Sequence, residues 1–112
     1  MVVDDEPIVG KRLKRMLEND GHNVHSFTRG SLALESLKTH TYDLIITDLK
    51  MGKIDGLHLL EYAARLEPEP KVIIISGLKQ GKYPKNVLYR GSFAFLVKPF
   101  KIEELRAIIR RV

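Results

Sequence analysis

The sequence contains no cysteine and no tryptophan, and it has no long apolar run. Without cysteine, the protein can form neither a disulfide nor a thiolate metal site. No apolar run approaches the roughly 20 residues of a membrane-spanning helix, and no signal-peptide pattern opens the chain. We therefore expect a cytoplasmic protein with no membrane partner. The 112 residues, 44% hydrophobic and 29% charged, suit a single globular domain.

Acidic residues are missing from one long stretch, since none occurs between Glu69 and Glu103. Residues 1–70 hold 9 Lys/Arg and 12 Asp/Glu, a net charge of −3, whereas residues 71–112 hold 10 and 2, a net charge of +8. Such asymmetry is typical of a contact with nucleic acid or an acidic protein. The lysines are spaced singly, without interleaved stacking aromatics, so we favour a solvated basic face over direct nucleic-acid binding. Binding to DNA that depends on the salt concentration would support direct nucleic-acid binding instead.

The apolar residues alternate between strand and helix patterns. Continuous apolar runs at residues 44–46 and 72–75 are typical of parallel strands that are covered on both faces. Weaker strand patterns end at residue 3 and cover residues 23–27 and 93–97. Helical spacing covers residues 7–20, 31–38, 56–66, 84–90 and 105–112. Strands and helices thus alternate, five of each, which predicts an α/β fold with a parallel sheet between layers of helices.

Polar side chains stand at the carboxyl ends of the predicted strands. They are Asp4 and Asp5 after the first strand, Asp48 at the end of the third, Ser76 at the end of the fourth and Lys98 after the fifth. Each has an ordinary structural explanation, as a helix-dipole, cap, turn or surface residue. Because the carboxyl ends of parallel strands meet at one edge of a sheet, their coincidence there favours a functional site.

The chemistry of these groups points to phosphoryl transfer. Three neighbouring carboxylates repel one another, and their oxygens at an open site suit Mg²⁺. A carboxylate such as Asp48 can attack phosphorus and form an aspartyl phosphate. Mg²⁺ and Lys98 would neutralise charge during the transfer, and the Ser76 hydroxyl would donate to a phosphoryl oxygen.

Three segments resemble the signature segments of the receiver domain of two-component response regulators. They are VVDDEP at residues 2–7, DLIITDLKM at 43–51 and FLVKPF at 95–100. The resemblance covers essentially the whole chain. It implies a flavodoxin-like (CheY-like) doubly wound five-stranded parallel sheet in the order 2-1-3-4-5 with five helices. We expect residues 1–112 to be one receiver domain whose first strand is truncated at its start.

The resemblance also implies a role for each site residue. Asp48 would be the phosphoacceptor. The ligands of Mg²⁺, for which Mn²⁺ can substitute, would be Asp5, Asp48, the backbone carbonyl of Lys50 and, through water, Asp4. Ser76 would be the switch hydroxyl and Phe95 the switch aromatic. Lys98 would assist phosphoryl transfer, and its bond to Pro99 would be cis.

The implied function is a phosphorylation-dependent switch in a phosphorelay. The domain would take a phosphoryl group from a sensor histidine kinase or a phosphotransfer protein and later hydrolyse it. It would not turn over a separate substrate. The surface of the fourth helix, fifth strand and fifth helix would change and contact an output domain or a dimer mate.

One alternative, an aspartyl phosphatase, is disfavoured because Lys50 stands where those enzymes have a second Asp. A degenerate receiver that acts only as a scaffold is disfavoured by the complete acidic set and Lys98.

The sequence departs from the receiver pattern at a few positions. Gly52 and Lys53 follow Met51, where the family usually has proline, so we expect a looser loop there. Gly77 stands where alanine is common. Residues 78–90 have poor helix propensity, which affects the predicted fourth helix and not the predicted phosphorylation site.

Overall fold

A computed structural model describes residues 1–49, 51–77 and 92–112. Its strands form one parallel sheet in the order β2-β1-β3-β4-β5, which confirms the predicted fold class and strand order. The strands are β1 (Val2–Val3), β2 (Ser26–Phe27), β3 (Leu44–Asp48), β4 (Lys71–Ser76) and β5 (Ala94–Val97).

The described helices are α1 (Pro7–Asn19), α2 (Gly30–Thr39), α3 (Gly56–Ala63) and the C-terminal helix (Ile102–Ile109). The predicted fourth helix, residues 84–90, lies outside the described residues. The helix predicted to reach residue 66 ends earlier, because the N–H groups of Arg65 and Leu66 donate three residues back rather than four. In the described part of the chain, no helix is long and apolar enough to cross a membrane.

The core has two parts, one on each face of the sheet. On one face, Ile45 of β3 lies in a cluster with residues of α2 and α3, such as Leu37 and Leu59. On the other face, the next residue, Ile46, lies in a cluster with Leu13 of α1 and Leu105 of the C-terminal helix. Successive strand residues point to opposite faces, so a strand covered on both sides must be apolar at every position. This two-sided burial explains the continuous apolar runs.

We predict that the second cluster depends strongly on the C-terminal helix. Leu105 is completely buried, so Leu105→Ala should lower the free energy of unfolding by about 2–5 kcal/mol, measured by urea denaturation. Leu32→Ala is the matched control, because Leu32 is 51% exposed and little apolar area would be lost there. Equal losses in the two variants would contradict this account of the core.

Candidate functional site

The sheet register brings the predicted site residues to one edge. Val3 of β1 is opposite Thr47 of β3, so Asp4 and Asp48 follow on adjacent strands. Asp48 is opposite Ile75 of β4, next to Ser76. Ser76 is in turn opposite Val97 of β5, which Lys98 follows. The carboxyl ends of four neighbouring strands therefore carry these side chains, as the sequence predicted.

Lys98 is the centre of the charged contacts at this edge. Its Nζ donates to Asp48 Oδ2 at 3.2 Å and to Asp4 Oδ2 at 3.4 Å, and it lies 4.0 Å from Glu6 Oε1. The backbone of Lys98 is fixed as well, since its N–H donates to the carbonyl of Ser76 at 2.7 Å. The peptide bond between Lys98 and Pro99 is cis. One ammonium group thus links carboxylates from two strands.

The protonation of Asp48 and Lys98 follows from their surroundings. Burial raises the pKa of Asp48 above its ordinary value of 3.8, and the attraction of Lys98 opposes this shift without cancelling it. Burial lowers the pKa of Lys98, but Asp48 and Asp4 together outweigh it and raise that pKa above 10.5. Lys98 is therefore a permanent cation at neutral pH, whereas the charge on Asp48 is disfavoured by its position.

The acids at the end of β1 form a cluster that fits a hard divalent cation. Oxygens of Asp4, Asp5 and Glu6 all lie within 4.8 Å of one another. Asp4 is buried, with its Oδ1 accepting the Glu6 N–H at 2.9 Å, while the other two carboxylates are exposed. Oxygen donors that remain open to water suit Mg²⁺, which retains several waters. Asp48 is outside this cluster but connected to it, because Lys98 contacts both Asp4 and Asp48.

Glu6 was not predicted as a site residue. The signal was its position immediately after Asp4 and Asp5, where the turn into the helix keeps the three carboxylates together.

The loop after Asp48 shows why glycine occupies position 52. Gly52 has a φ of +100°, a left-handed conformation that proline cannot adopt because its ring fixes φ near −65°. Lys50, predicted to offer its carbonyl to the metal, lies outside the described residues. The neighbouring Met51 is buried, and its sulfur is 4.0 Å from the Thr47 hydroxyl. That this loop is looser than usual stays a prediction.

The two predicted switch residues lie on adjacent strands. Ser76 is 5% exposed at the end of β4. Phe95, on β5 opposite Ile74, is half-buried and packs against the core cluster under α2 and α3. Their roles in a switch stay predictions.

A comparison with protein-family models matches residues 1–110 to the response regulator receiver domain. The chain belongs to this family. It is similar to the DNA-binding transcriptional regulator NtrC of Escherichia coli K12, with 33% identity over 98% of this chain and 24% of NtrC. It is also similar to the response regulator ArlR of Staphylococcus aureus Mu50, with 34% identity over 100% of this chain and 51% of ArlR.

A solved structure gives the same result for the fold of this receiver domain. The response regulator TrrA of Thermotoga maritima, in complex with Mg(2+)-BeF, matches with a TM-score of 0.85 and 27% identity over 98% of this chain. The receiver domain described here spans about half of ArlR and about a quarter of NtrC. It is therefore a receiver domain of two-component response regulators, similar to a part of each of these curated relatives.

The raised pKa of Asp48 predicts the direction of a pH effect on stability. The folded receiver holds the Asp48 proton more tightly than the unfolded chain does. The contribution of Asp48 to the free energy of unfolding should therefore fall as pH rises from 3.8 through the folded-state pKa. Asp48→Asn removes this contribution, so wild-type stability minus variant stability should decrease as pH rises.

Urea denaturation of both proteins at a series of acidic pH values measures this difference. Asp43→Asn is the matched control, because Asp43 is an exposed carboxylate that directly precedes the same strand. If the free energy of unfolding of the wild type minus that of Asp48→Asn rises with pH, the prediction is wrong. The Asp48 carboxylate would then be stabilised by its surroundings.

Proposed function

We propose that this receiver domain is a phosphorylation-dependent switch that accepts a phosphoryl group on Asp48. The observation that carries the proposal is the position of the Asp48 carboxylate, at the end of a buried strand and 3.2 Å from the Lys98 ammonium. A nucleophile for phosphorus and a cation that balances the charge of the product are thus side by side. The family membership supports the same function.

The proposed transfer begins with attack of an Asp48 carboxylate oxygen on the phosphorus of a phosphohistidine. The P–O bond forms as the P–N bond breaks, and the bonding electrons stay on the imidazole nitrogen, which takes up a proton. Lys98 balances the added negative charge, and the buried Ser76 hydroxyl is the proposed donor to a phosphoryl oxygen. Water later cleaves the acyl phosphate and releases inorganic phosphate. The domain thus takes part in its own modification and turns over no separate substrate.

A divalent cation completes the proposed site. Asp5 and Asp48 would hold Mg²⁺ or Mn²⁺, Asp4 would contribute through water, and the backbone carbonyl of Lys50 is the proposed further ligand. Such an ion supplies positive charge to the transferring phosphoryl group. The oxygen-only acidic cluster at the end of β1 supports this assignment. TrrA, which has the same fold, was solved in complex with Mg(2+)-BeF.

The partners follow from the reaction. The phosphoryl donor is proposed to be a sensor histidine kinase or a phosphotransfer protein in the cytoplasm. Residues 1–112 are proposed to act as one receiver domain, with an output domain or a dimer mate on the surface that includes β5 and the C-terminal helix. This assignment agrees with the longer chains of NtrC and ArlR, of which the receiver spans only a part.

The phosphoacceptor is tested with a small-molecule donor. Incubation with acetyl phosphate and Mg²⁺ should add one phosphoryl group, detected by intact-protein mass spectrometry, and Asp48→Asn should abolish the addition. Asp43→Asn should remain labelled, because Asp43 precedes the opposite end of the same strand. Asp5→Ala should remain folded yet lose most of the labelling, as expected for a metal ligand. Undiminished labelling of Asp48→Asn would refute the proposed acceptor.

The switch is tested with beryllofluoride, a mimic of the phosphoryl group. If the Ser76 hydroxyl moves toward the mimic, it leaves space that the Phe95 ring can fill. Phe95 lacks the hydroxyl that would hold a tyrosine outward, so its inward rotamer should be populated readily. Amide and methyl chemical shifts should therefore change at residues 78–101 as well as around Asp48. Asp48→Asn serves as the control and should show neither set of changes. Shifts confined to the Asp48 pocket would contradict the proposed route.

A further inference from the structure

Gly30, the first residue of α2, lies directly beneath the backbone of the loop that follows Asp48. A Cβ atom at Gly30 would lie 2.0 Å from the carbonyl oxygen of Ile54, 2.8 Å from its carbonyl carbon and 3.0 Å from its Cγ2. The nearest obstacle is thus backbone, which cannot rotate away as the end of a flexible side chain can. Gly30 does not have a left-handed φ. Glycine is required here by lack of space and not by backbone conformation.

Ile54 is connected to Asp48 through the next two residues, Asp55 and Gly56, at the start of α3. Asp55 follows and caps α3, its Oδ1 accepting the N–H groups of Leu57 at 3.0 Å and His58 at 3.2 Å. The cap fixes the direction in which the chain leaves Ile54 and enters the helix.

Gly56, the next residue, contacts the backbone at the end of β3. Its N–H donates to the carbonyl of Leu49 at 2.9 Å, and a Cβ at Gly56 would lie 2.5 Å from the carbonyl oxygen of Asp48. Residues 54–56 therefore touch Gly30 at one end and the backbone of Asp48 at the other. Because there is a close contact at both ends and a helix cap between them, we expect a displacement of Ile54 to move Asp48 as well.

We propose that Gly30 is a positioning residue for the phosphoacceptor site. Because Gly30 has no Cβ, the backbone of Ile54 can lie close to α2. This close approach determines the position of Asp48 relative to Lys98 and the acids at the end of β1. The inference rests on the proposed function, because it assigns Gly30 to the site where Asp48 would receive the phosphoryl group. Gly30 touches neither phosphorus nor metal, and it acts only through the loop.

The test compares two buried glycines at helical positions. Gly30→Ala forces Ile54 away, whereas Gly10→Ala in α1 is the matched control, because a Cβ there would meet nothing within 4 Å. Mn²⁺ binding, followed by electron paramagnetic resonance, reads the geometry of the carboxylates without depending on phosphorylation. We expect Gly30→Ala to weaken Mn²⁺ binding by roughly 10-fold to 100-fold, as for residues that orient metal ligands, and Gly10→Ala to bind as the wild type does.

A second control distinguishes a general loss of stability from a displacement of Asp48. Leu105→Ala should also destabilise the protein, but through the core on the opposite face of the sheet. All variants are measured at a temperature where urea curves show them folded. Leu105→Ala should keep the wild-type Mn²⁺ affinity. The proposal is overturned if folded Gly30→Ala binds Mn²⁺ as tightly as Gly10→Ala does, or if Leu105→Ala loses the same affinity as Gly30→Ala.

Labelling with acetyl phosphate separates failure of this inference from failure of the proposed function. If Asp48→Asn abolishes labelling while Gly30→Ala is labelled at the wild-type rate, the acceptor stands and the positioning role is wrong. If Asp48→Asn is still labelled, the proposed acceptor itself is wrong.

Should Gly30→Ala not fold, the wild type provides the test. Titration with Mg²⁺ should then shift the amide resonances of Gly30 and Ile54 together with those of Leu49 and Gly56. Shifts at Leu49 and Gly56 without any response at Gly30 would overturn the proposal.

Discussion

The site depends on one cation held between two carboxylates that come from different strands. Lys98 contacts both Asp4 and Asp48, and the pair raises the pKa of its ammonium despite the burial that lowers it. The carboxylate of Asp48 is stabilised less, since burial raises its pKa and Lys98 does not cancel this shift. The negative charge of Asp48 is therefore only partly compensated by Lys98.

This arrangement is possible only because the sheet is buried on both faces. Ile45 and Ile46 are consecutive yet belong to different halves of the core. The helices that cover both faces leave the edge of the sheet as the place where polar side chains can meet. The register then sets their spacing, since Asp48 is aligned with Ile75 of β4 and Ser76 with Val97 of β5. The hydrophobic core thus determines where the charged site lies.

Much of the fold and the candidate site could be predicted from sequence patterns. The apolar runs around Ile46 and Ile73 predicted parallel strands, and the residues after each run predicted which side chains meet. Gly30 could not be found this way. Its close contact is with Ile54, a residue 24 positions later in the chain, and no local pattern encodes such a contact. Glu6 was overlooked for a related reason, because its place in the acidic cluster depends on how the chain turns into α1.

By itself the sequence determined the alternation of strands and helices, the strand ends that carry polar groups and the resemblance to receiver domains, because these follow from local periodicity and short motifs. Only the tertiary structure decided that Lys98 is shared between Asp4 and Asp48 and that the backbone of Ile54 rests on Gly30. Distances between side chains far apart in the chain depend on how strands align and helices pack. Those quantities are fixed by the whole core together and by no single segment.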